Sequence, residues 1–261
     1  MYKLIDHPHP AVGLVIGTFA AVPYVHLALE SRRLNYPDIP LLVSDDGSPN
    51  RDELSALCKH YGADFVSDGK RKKQMVGDVS AYVHGLEWAM KGELELLVKM
   101  SRRFIPLHNW VPGLQNLACE TQYATYSNEC KHHRYGFRTE CIAFHVRSWC
   151  DLGALDQMRA LVIRNESVFV EGCLHNLARE VHKSNCEANR AYEALHPRSS
   201  DTDAYGVWTV MADKRTTAKP DILWHDSNLP NEYWEAALRF GLSYQPQAFA
   251  DPNQGFGPGA R

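Results

Sequence analysis

Four adjacent residues, Asp45-Asp46-Gly47-Ser48, place two carboxylates beside a glycine. A carboxylate can accept hydrogen bonds from a uracil-type base or from a ribose. The glycine allows the backbone to turn tightly beneath such a ligand. The same residues are also typical of an Asp-Gly turn that precedes and caps a helix starting near Asp52. From these four residues alone, both interpretations stay open.

Three widespread active-site motifs are missing from the sequence. The segment Gly17-Thr18-Phe19-Ala20-Ala21-Val22 stands where a dinucleotide-binding Gly-x-Gly-x-x-Gly would follow a first strand. Neither the Gly-x-x-x-x-Gly-Lys-Ser/Thr of a P-loop nor the Gly-x-Ser-x-Gly of a nucleophile elbow occurs. An NAD site, a P-loop and the usual serine hydrolase site are therefore disfavoured.

Residue types that bind zinc are concentrated between positions 130 and 150. They are Cys130, His132, His133, Cys141, His145 and Cys150. Their spacing is irregular and resembles that of strands rather than that of a zinc-binding motif. We therefore do not predict a zinc site. His225 is interpreted as a buried structural histidine.

The overall composition excludes several broad classes of protein. The 261 residues are 44% apolar and 23% charged, with a formal net charge of -3. A slightly acidic chain without a long basic tail does not suit nucleic-acid binding through bulk charge. No stretch reaches the roughly 20 apolar residues that span a bilayer. The seven cysteines include no Cys-x-x-Cys pair, and the first residues do not resemble a secretory signal, so we expect reduced thiols and a cytoplasmic protein.

The first hundred residues alternate between predicted strands and helices. Short apolar runs predict strands at 11–17, 39–44, 64–67 and 94–100. Apolar residues at helical spacing predict helices at 24–34, 52–61 and 77–89. This alternation favours a parallel sheet with helices on both faces, in which ligands bind at the carboxyl ends of the strands. Asp45 and Asp46 directly follow the second strand and are expected at that edge.

The second half of the chain is less regular. A helix is expected after Pro112, and strands are expected at 122–126 and 140–145. The strand-like Val168-Phe169-Val170 leads into a helix from Gly172 to about Leu195. Residues 196–203 resemble a loop, and 246–261 resemble an extended tail. Because no repeat and no linker divides the chain, we predict one domain over 1–261.

The order and spacing of these features resemble the nucleotide half of GT-A glycosyltransferases, especially the family 2 type. In that family a strand ending in Pro-Thr-Tyr-Asn precedes Val-Asp-Asp-Gly-Ser. Here Gly17-Thr18-Phe19 and one helix precede Asp45 to Ser48, and a basic turn from Gly69 to Lys73 follows. The resemblance covers about Ala11 to Pro106 and is faint after about Ala118. It implies an α/β, GT-A-like and Rossmann-related sheet, mostly parallel and flanked by helices, with a nucleotide half at 11–106 and an acceptor half at 107–245.

The resemblance also implies roles for individual residues. Thr18 would lie near the nucleotide, Asp45 would contact the base or ribose, and Asp46 would support the same loop. Lys70 and Arg71 would reach the diphosphate. For this basic turn, a solvated surface loop remains the alternative.

The sequence departs from the family pattern at the end of the fourth strand. An Asp-x-Asp that holds a divalent cation is expected there, but the chain has Lys99-Met100-Ser101-Arg102-Arg103. Because Mg²⁺ and Mn²⁺ require anionic oxygen ligands, a metal cofactor is disfavoured and no metal-binding residue is assigned. Arginine binds phosphate oxygens through a planar fork, so Arg102 or Arg103 could replace the metal. The alternative is a degenerate, inactive site with surface arginines.

Glu171 is the candidate catalytic base. It resembles the acidic residue that opens a helix beneath the acceptor in the family, and a base must remove the proton of the attacking hydroxyl. A glutamate in the first turn of a helix also interacts favourably with the helix dipole, which is the alternative role.

The resemblance implies transfer of a sugar from a UDP- or GDP-sugar donor to a hydroxyl of a glycan or another acceptor, with inversion. The departure at the end of the fourth strand, not the resemblance, predicts that this transfer needs no metal. The rival hypothesis is a catalytically inactive GT-A-like module that binds a nucleotide or a glycan. A sugar nucleotidyltransferase is disfavoured because the Gly-rich phosphate loop of that class is absent after the first strand.

Overall fold

The computed structural model describes residues 9–73, 75–102, 104–121, 123–127, 141–166 and 170–183, together with 206–207, 222–224, 238 and 240–241. In chain order the elements are β1 (Val12–Thr18), α1 (Val22–Asn35), β2 (Leu41–Asp45), α2 (Arg51–His60), β3 (Asp64–Ser67), α3 (Val76–Lys91), β4 (Leu96–Ser101), β5 (Phe104–Pro106), α4 (Val111–Glu120), β6 (Thr125–Ser127), β7 (Cys141–His145), α5 (Val146–Asp151), α6 (Ala154–Arg164), α7 (Val170–Lys183), β8 (Gly206–Val207) and β9 (Ile222–Trp224).

Seven strands of the described residues form one sheet in the order β3-β2-β1-β4-β7-β6-β8. Strands β3, β2, β1 and β4 are mutually parallel, whereas β7 is antiparallel to both β4 and β6. Strands β5 and β9 pair separately and antiparallel. The predicted α/β class, with a mostly parallel sheet flanked by helices, is confirmed.

Hydrophobic residues cover both faces of the sheet. Along β1, Leu14 and Ile16 face one apolar cluster, which also contains residues of α1, α2 and α4. Val15 faces the other cluster, which contains residues of α3, α5, α6 and α7. This double burial explains why β1, β2 and β4 contain continuous apolar runs rather than alternating ones.

Gly85 allows helix α3 to pack directly against the sheet. A Cβ on Gly85 would lie 2.8 Å from the side chain of Val15 and 2.9 Å from that of Leu97. Any side chain at Gly85 would therefore push the helix away from β1 and β4. The same helix begins at Val76, directly after the basic turn.

The second half agrees with the predicted elements where the structure describes it. Strand β7 lies within the expected segment 140–145, whereas β6 (Thr125–Ser127) overlaps only the end of the expected segment 122–126. Helix α4 begins at Val111. The prediction that the strand before α7 extends to Val170 is wrong, because Val170 is already helical. Positions 167–169, and the helix expected beyond Lys183, lie outside the described residues. None of the described helices combines the length and the apolar character needed to cross a membrane.

Candidate functional site at the carboxyl edge of the sheet

The ends of β1 and β2 are joined by direct backbone contacts. Thr18 and Asp45 are paired in the parallel register, and the N–H of Asp46 donates to the carbonyl oxygen of Thr18 at 2.9 Å. On the other side of β1, Gly17 is paired with Ser101, the last residue of β4. The structure thus brings Thr18, Asp45, Asp46 and the end of β4 to one edge, as the parallel topology predicts.

Asp45 holds the loop that follows β2. Its side chain is fully buried and accepts hydrogen bonds from the backbone N–H of Ser48 at 3.0 Å, from the hydroxyl of Ser48, and from the hydroxyl of Ser67 at 2.7 Å. Because Asp45 is 0% exposed, a base or ribose could contact this carboxylate only if one of the groups that cover it moved. Direct contact between Asp45 and a nucleotide therefore stays a prediction, whereas its contacts within the chain are seen directly.

Asp46 connects this loop to the basic turn and to α3. One carboxylate oxygen accepts the backbone N–H of Lys72 at 2.9 Å. The other lies directly against Gly77, where any Cβ would collide with it. Burial raises the pKa of the Asp46 carboxyl to about 6, and the N–H of Lys72 opposes this shift.

The basic turn packs on Gly47. This glycine has a φ of 69°, and a Cβ on it would lie 2.5 Å from the backbone nitrogen of Arg71. The Arg71 guanidinium lies over the Phe19 ring, 4.2 Å from its centroid, just after β1. Lys70 and Arg71 are exposed beside the loop. The turn therefore lies beside the loop, and contact of Lys70 and Arg71 with a diphosphate stays a prediction.

Asp68 anchors the start of the same turn. Its backbone N–H donates to the carbonyl oxygen of Asp45 at 3.0 Å, and its carboxylate lies 3.3 Å from the Lys72 ammonium and 3.5 Å from His84 Nε2. The other ring nitrogen of His84 is 2.9 Å from the hydroxyl of Ser44 in β2. This chain of polar contacts ties the turn to both α3 and the sheet.

A buried ion pair lies beneath the ends of β1 and β4. The Lys99 side chain is 1% exposed and its ammonium pairs with the carboxylate of Asp78 in the first turn of α3. The same ammonium is 4.9 Å from the centroid of the Tyr82 ring. Sequence reasoning missed this pair. The available signal was a single lysine within the apolar run from Leu96 to Met100.

The structure describes the remaining candidate site residues only in part. The buried hydroxyl of Thr18 has no hydrogen-bond partner in the described part of the chain. Arg102 is half-buried immediately after β4. Arg103 lies outside the described residues, as does His225, and Glu171 is placed in the first turn of α7 by its backbone alone.

Within the described residues, side chains are not grouped in a way that could together hold a metal ion. In this part of the chain, no group of three or more His, Cys, Asp or Glu residues lies close enough together to do so. Of the zinc-type residues noted above, Cys141, His145 and Cys150 are described, and the others are not. The edge instead combines exposed cations of the basic turn with half-buried carboxylates such as Asp46 and Asp68. The cations can bind the charge of an anionic ligand, and the carboxylates can accept hydrogen bonds from its hydroxyl groups.

No protein-family model and no curated protein matches the sequence. Among solved structures, the chain is similar to the apo form of the glycosyltransferase GlyE of Streptococcus pneumoniae, with a TM-score of 0.53 and 11% identity over 93% of this chain. A second structure of GlyE gives a TM-score of 0.50 and 9% identity over 94% of this chain. A mannosyltransferase of Pyrobaculum calidifontis, in complex with GDP-Man and Mn²⁺, gives 0.42 and 13%, covering 75% of this chain and 78% of that one.

This chain spans 62% and 63% of the two GlyE chains, so it corresponds to part of their length. At such low identity the likeness concerns the fold and not the activity. The fold of this chain is that of the GT-A-like glycosyltransferases.

Proposed function

We propose that this chain transfers a sugar from a nucleotide-activated donor to a hydroxyl acceptor. The observation that carries the proposal is the convergence at one sheet edge of the end of β1, the loop from Asp45 to Ser48 and the basic turn. In open α/β sheets this edge is where ligands bind. The GT-A-like fold supports the same class of reaction.

The donor nucleoside would lie over the ends of β1 and β2. The hydroxyl of Thr18, which has no partner among the described residues, can hydrogen bond with it, and Asp46 and Asp45 keep the loop in position. The diphosphate would lie toward the basic turn, where Lys70 and Arg71 are exposed. UDP and GDP are the nucleotides that we expect to bind.

In the transfer step, the acceptor oxygen forms a bond to the anomeric carbon while the bond from that carbon to the diphosphate breaks. The bonding electron pair leaves with the diphosphate, and the acceptor proton moves to Glu171. Attack from the face opposite the leaving group inverts the anomeric configuration. Lys70, Arg71 and one of Arg102 and Arg103 stabilise the negative charge that develops on the leaving group.

A divalent cation does not fit the residues at the end of β4. Ser101 and Arg102 provide no carboxylate, and the nearest charged side chain before them in β4 is the buried cation Lys99. We therefore propose that the basic side chains meet the diphosphate charge without a metal.

The test is calorimetric titration with UDP and with GDP, followed by measurement of nucleoside diphosphate release from the corresponding sugar donors. We expect saturable binding of one nucleotide and slow donor hydrolysis that an acceptor accelerates. A nucleotide that binds without any transfer or hydrolysis would favour the inactive binding module. If neither nucleotide binds, the proposal is wrong.

A further inference from the structure

The ion pair between Lys99 and Asp78 lies between α3 and the sheet, at the same edge as the proposed donor site. The Lys99 side chain is 1% exposed, whereas that of Asp78 is 30% exposed. The pair is therefore asymmetric. Its cation is inside the protein, and part of its carboxylate faces solvent.

A buried ion pair of this kind is not an effective way to stabilise the fold. Removing a lysine from water is costly, and replacing a buried ion pair by apolar residues of similar volume is often neutral or stabilising. Both sequence neighbours of Lys99, Val98 and Met100, are buried and apolar. A charged residue in this row of β4 points to a role at the edge of the sheet.

Gly17 leaves the pair accessible from the end of β1. A Cβ on Gly17 would lie 3.7 Å from the Asp78 carboxylate and 3.7 Å from the Lys99 side chain. Because Gly17 carries no side chain, residue 17 of β1 does not cover the carboxylate. Asp78 also directly follows Gly77, which contacts Asp46.

The charge of the pair suits an anionic donor. An isolated carboxylate at this position would repel a diphosphate, but the Lys99 ammonium offsets that charge at close range. The ammonium engages one Asp78 oxygen, Oδ1, which fixes the orientation of the carboxylate. A carboxylate that is held in place and charge-compensated is well suited to accept a hydrogen bond from a hydroxyl group.

We propose that Asp78 binds a hydroxyl group of the donor and that Lys99 is the residue that positions Asp78. This inference rests on the proposed function. The hydroxyl belongs either to the ribose or to the transferred sugar, and both present the same chemistry to the carboxylate.

The experiment compares the dissociation constants of a nucleoside diphosphate and of its sugar conjugate, using UDP and UDP-glucose or GDP and GDP-mannose, whichever pair the wild type binds. Asp78→Asn is compared with Glu87→Gln. Glu87 is a matched control because it lies on the same helix, is 35% exposed and pairs with Arg159 at 2.9 Å, but lies nine residues away from the edge.

We expect Asp78→Asn to weaken binding roughly ten- to a hundredfold, since hydrogen bonds to charged groups are among the strong ones. Glu87→Gln should change binding less than twofold. Equal weakening of both ligands assigns the contact to the ribose, and weakening of the sugar conjugate alone assigns it to the transferred sugar.

Asp78→Asn leaves the Lys99 charge buried without this carboxylate, so we expect the variant to be less stable than the wild type. The double variant Asp78→Asn with Lys99→Met removes both charges and keeps similar volumes. We expect it to melt near the wild-type temperature and to show the same loss of affinity as Asp78→Asn. Lys99→Met alone should also weaken binding, because Asp78 is then neither held nor compensated.

A purely structural pair would change the melting temperature but leave both dissociation constants close to those of Glu87→Gln. That outcome, in a folded double variant, overturns this inference and leaves the proposed function standing. If the wild type binds neither nucleotide pair, both proposals are wrong.

Discussion

Asp46 and Lys72 are joined by a hydrogen bond from the backbone N–H of the lysine to the carboxylate of the aspartate, at 2.9 Å. The bond connects the loop after β2 to a turn more than twenty residues later in the sequence. Since the other Asp46 oxygen lies against Gly77, a single side chain contacts the loop, the turn and the first residues of α3. The relative positions of these three segments therefore depend on this carboxylate.

The first prediction concerns the pH dependence that this carboxylate produces. The pKa of Asp46 is raised to about 6 by burial, so the folded state binds its proton more tightly than the unfolded state does. The stabilising contribution of this group is present below the unfolded pKa of about 4 and is lost as the pH rises through about 6. Asp46→Asn should therefore gain stability relative to the wild type between pH 4 and 6, and keep a constant difference above that range.

Thermal unfolding of both proteins from pH 4 to pH 8 measures this difference. The asparagine keeps an acceptor for the Lys72 N–H, so the variant tests the charge rather than the hydrogen bond. A difference in melting temperature that does not change with pH would contradict the assignment.

The second prediction concerns Gly47. In Gly47→Ala, the new methyl group collides with the backbone of the basic turn, and the residue must also keep a φ of 69°. Gly62→Ala is the matched control, because Gly62 has a φ of 63° and open space around its Cα. The control should lose about 1–2 kcal/mol of stability from backbone strain alone.

Gly47→Ala should lose more stability than this control and should also weaken nucleotide binding, which Gly62→Ala should not. Denaturant unfolding and calorimetric titration measure the two effects. Equal losses of stability in the two variants would show that the contact between Gly47 and the turn has no energetic importance.

The third prediction concerns Asp45. Asp45→Ala leaves the hydrogen-bond donors of Ser48 and Ser67 without their buried acceptor, which costs about 1–3 kcal/mol. We expect lower stability together with weaker nucleotide binding, because the loop loses its support. Asp52→Ala removes a carboxylate that is 96% exposed. This control should change neither the stability nor nucleotide binding by a comparable amount. Nucleotide binding that is unchanged in a folded Asp45→Ala protein would remove this loop from the proposed site.

The fourth prediction concerns metal dependence. With Ser101 and Arg102 at the end of β4, we expect the affinity for UDP or GDP to be the same before and after treatment with EDTA. Titrations with and without added Mn²⁺ or Mg²⁺ provide the comparison. Activity that disappears on chelation and returns with Mn²⁺ would mean that other residues hold a cation and that arginine does not replace it.

The fifth prediction concerns the catalytic base. Glu171→Gln keeps the size of the side chain but removes its basicity, so turnover should fall by about a hundredfold or more while donor binding is retained. Glu166→Gln, at an exposed position before α7, is the control for loss of a nearby charge. The melting temperature is measured beside the rate, because a glutamate in the first helical turn contributes roughly 0.3–1 kcal/mol through the helix dipole. Wild-type turnover in a folded Glu171→Gln protein would exclude this residue as the base.

The strands at the site could be predicted because local pattern and tertiary environment agree there. Continuous apolar runs such as Leu96–Val98 occur where both sheet faces are covered, and this is what the structure shows. The conformation of Val170 was harder to predict. The local pattern Val168-Phe169-Val170 favours a strand, but Val170 is the first residue of a helix. Local preference is overridden there by burial against other helices.

The contacts of charged side chains could not be predicted from spacing. Lys99 and Asp78 are 21 positions apart, and only the approach of α3 to the sheet brings them together. The hydrogen bonds of Asp45 within the chain were equally hidden, because a buried carboxylate and a ligand-binding one occur in the same Asp-Asp-Gly-Ser sequence.

The hydrogen bonds around Asp45 also bear on how fast and at what entropic cost a ligand is recognised. Hydrogen bonds within the chain, from Ser48 and Ser67 to Asp45, hold the loop, so its conformational entropy is already lost when the protein folds. Binding at this edge then carries little further ordering penalty. Association at such a preorganised surface is limited by encounter and orientation rather than by rearrangement of the loop.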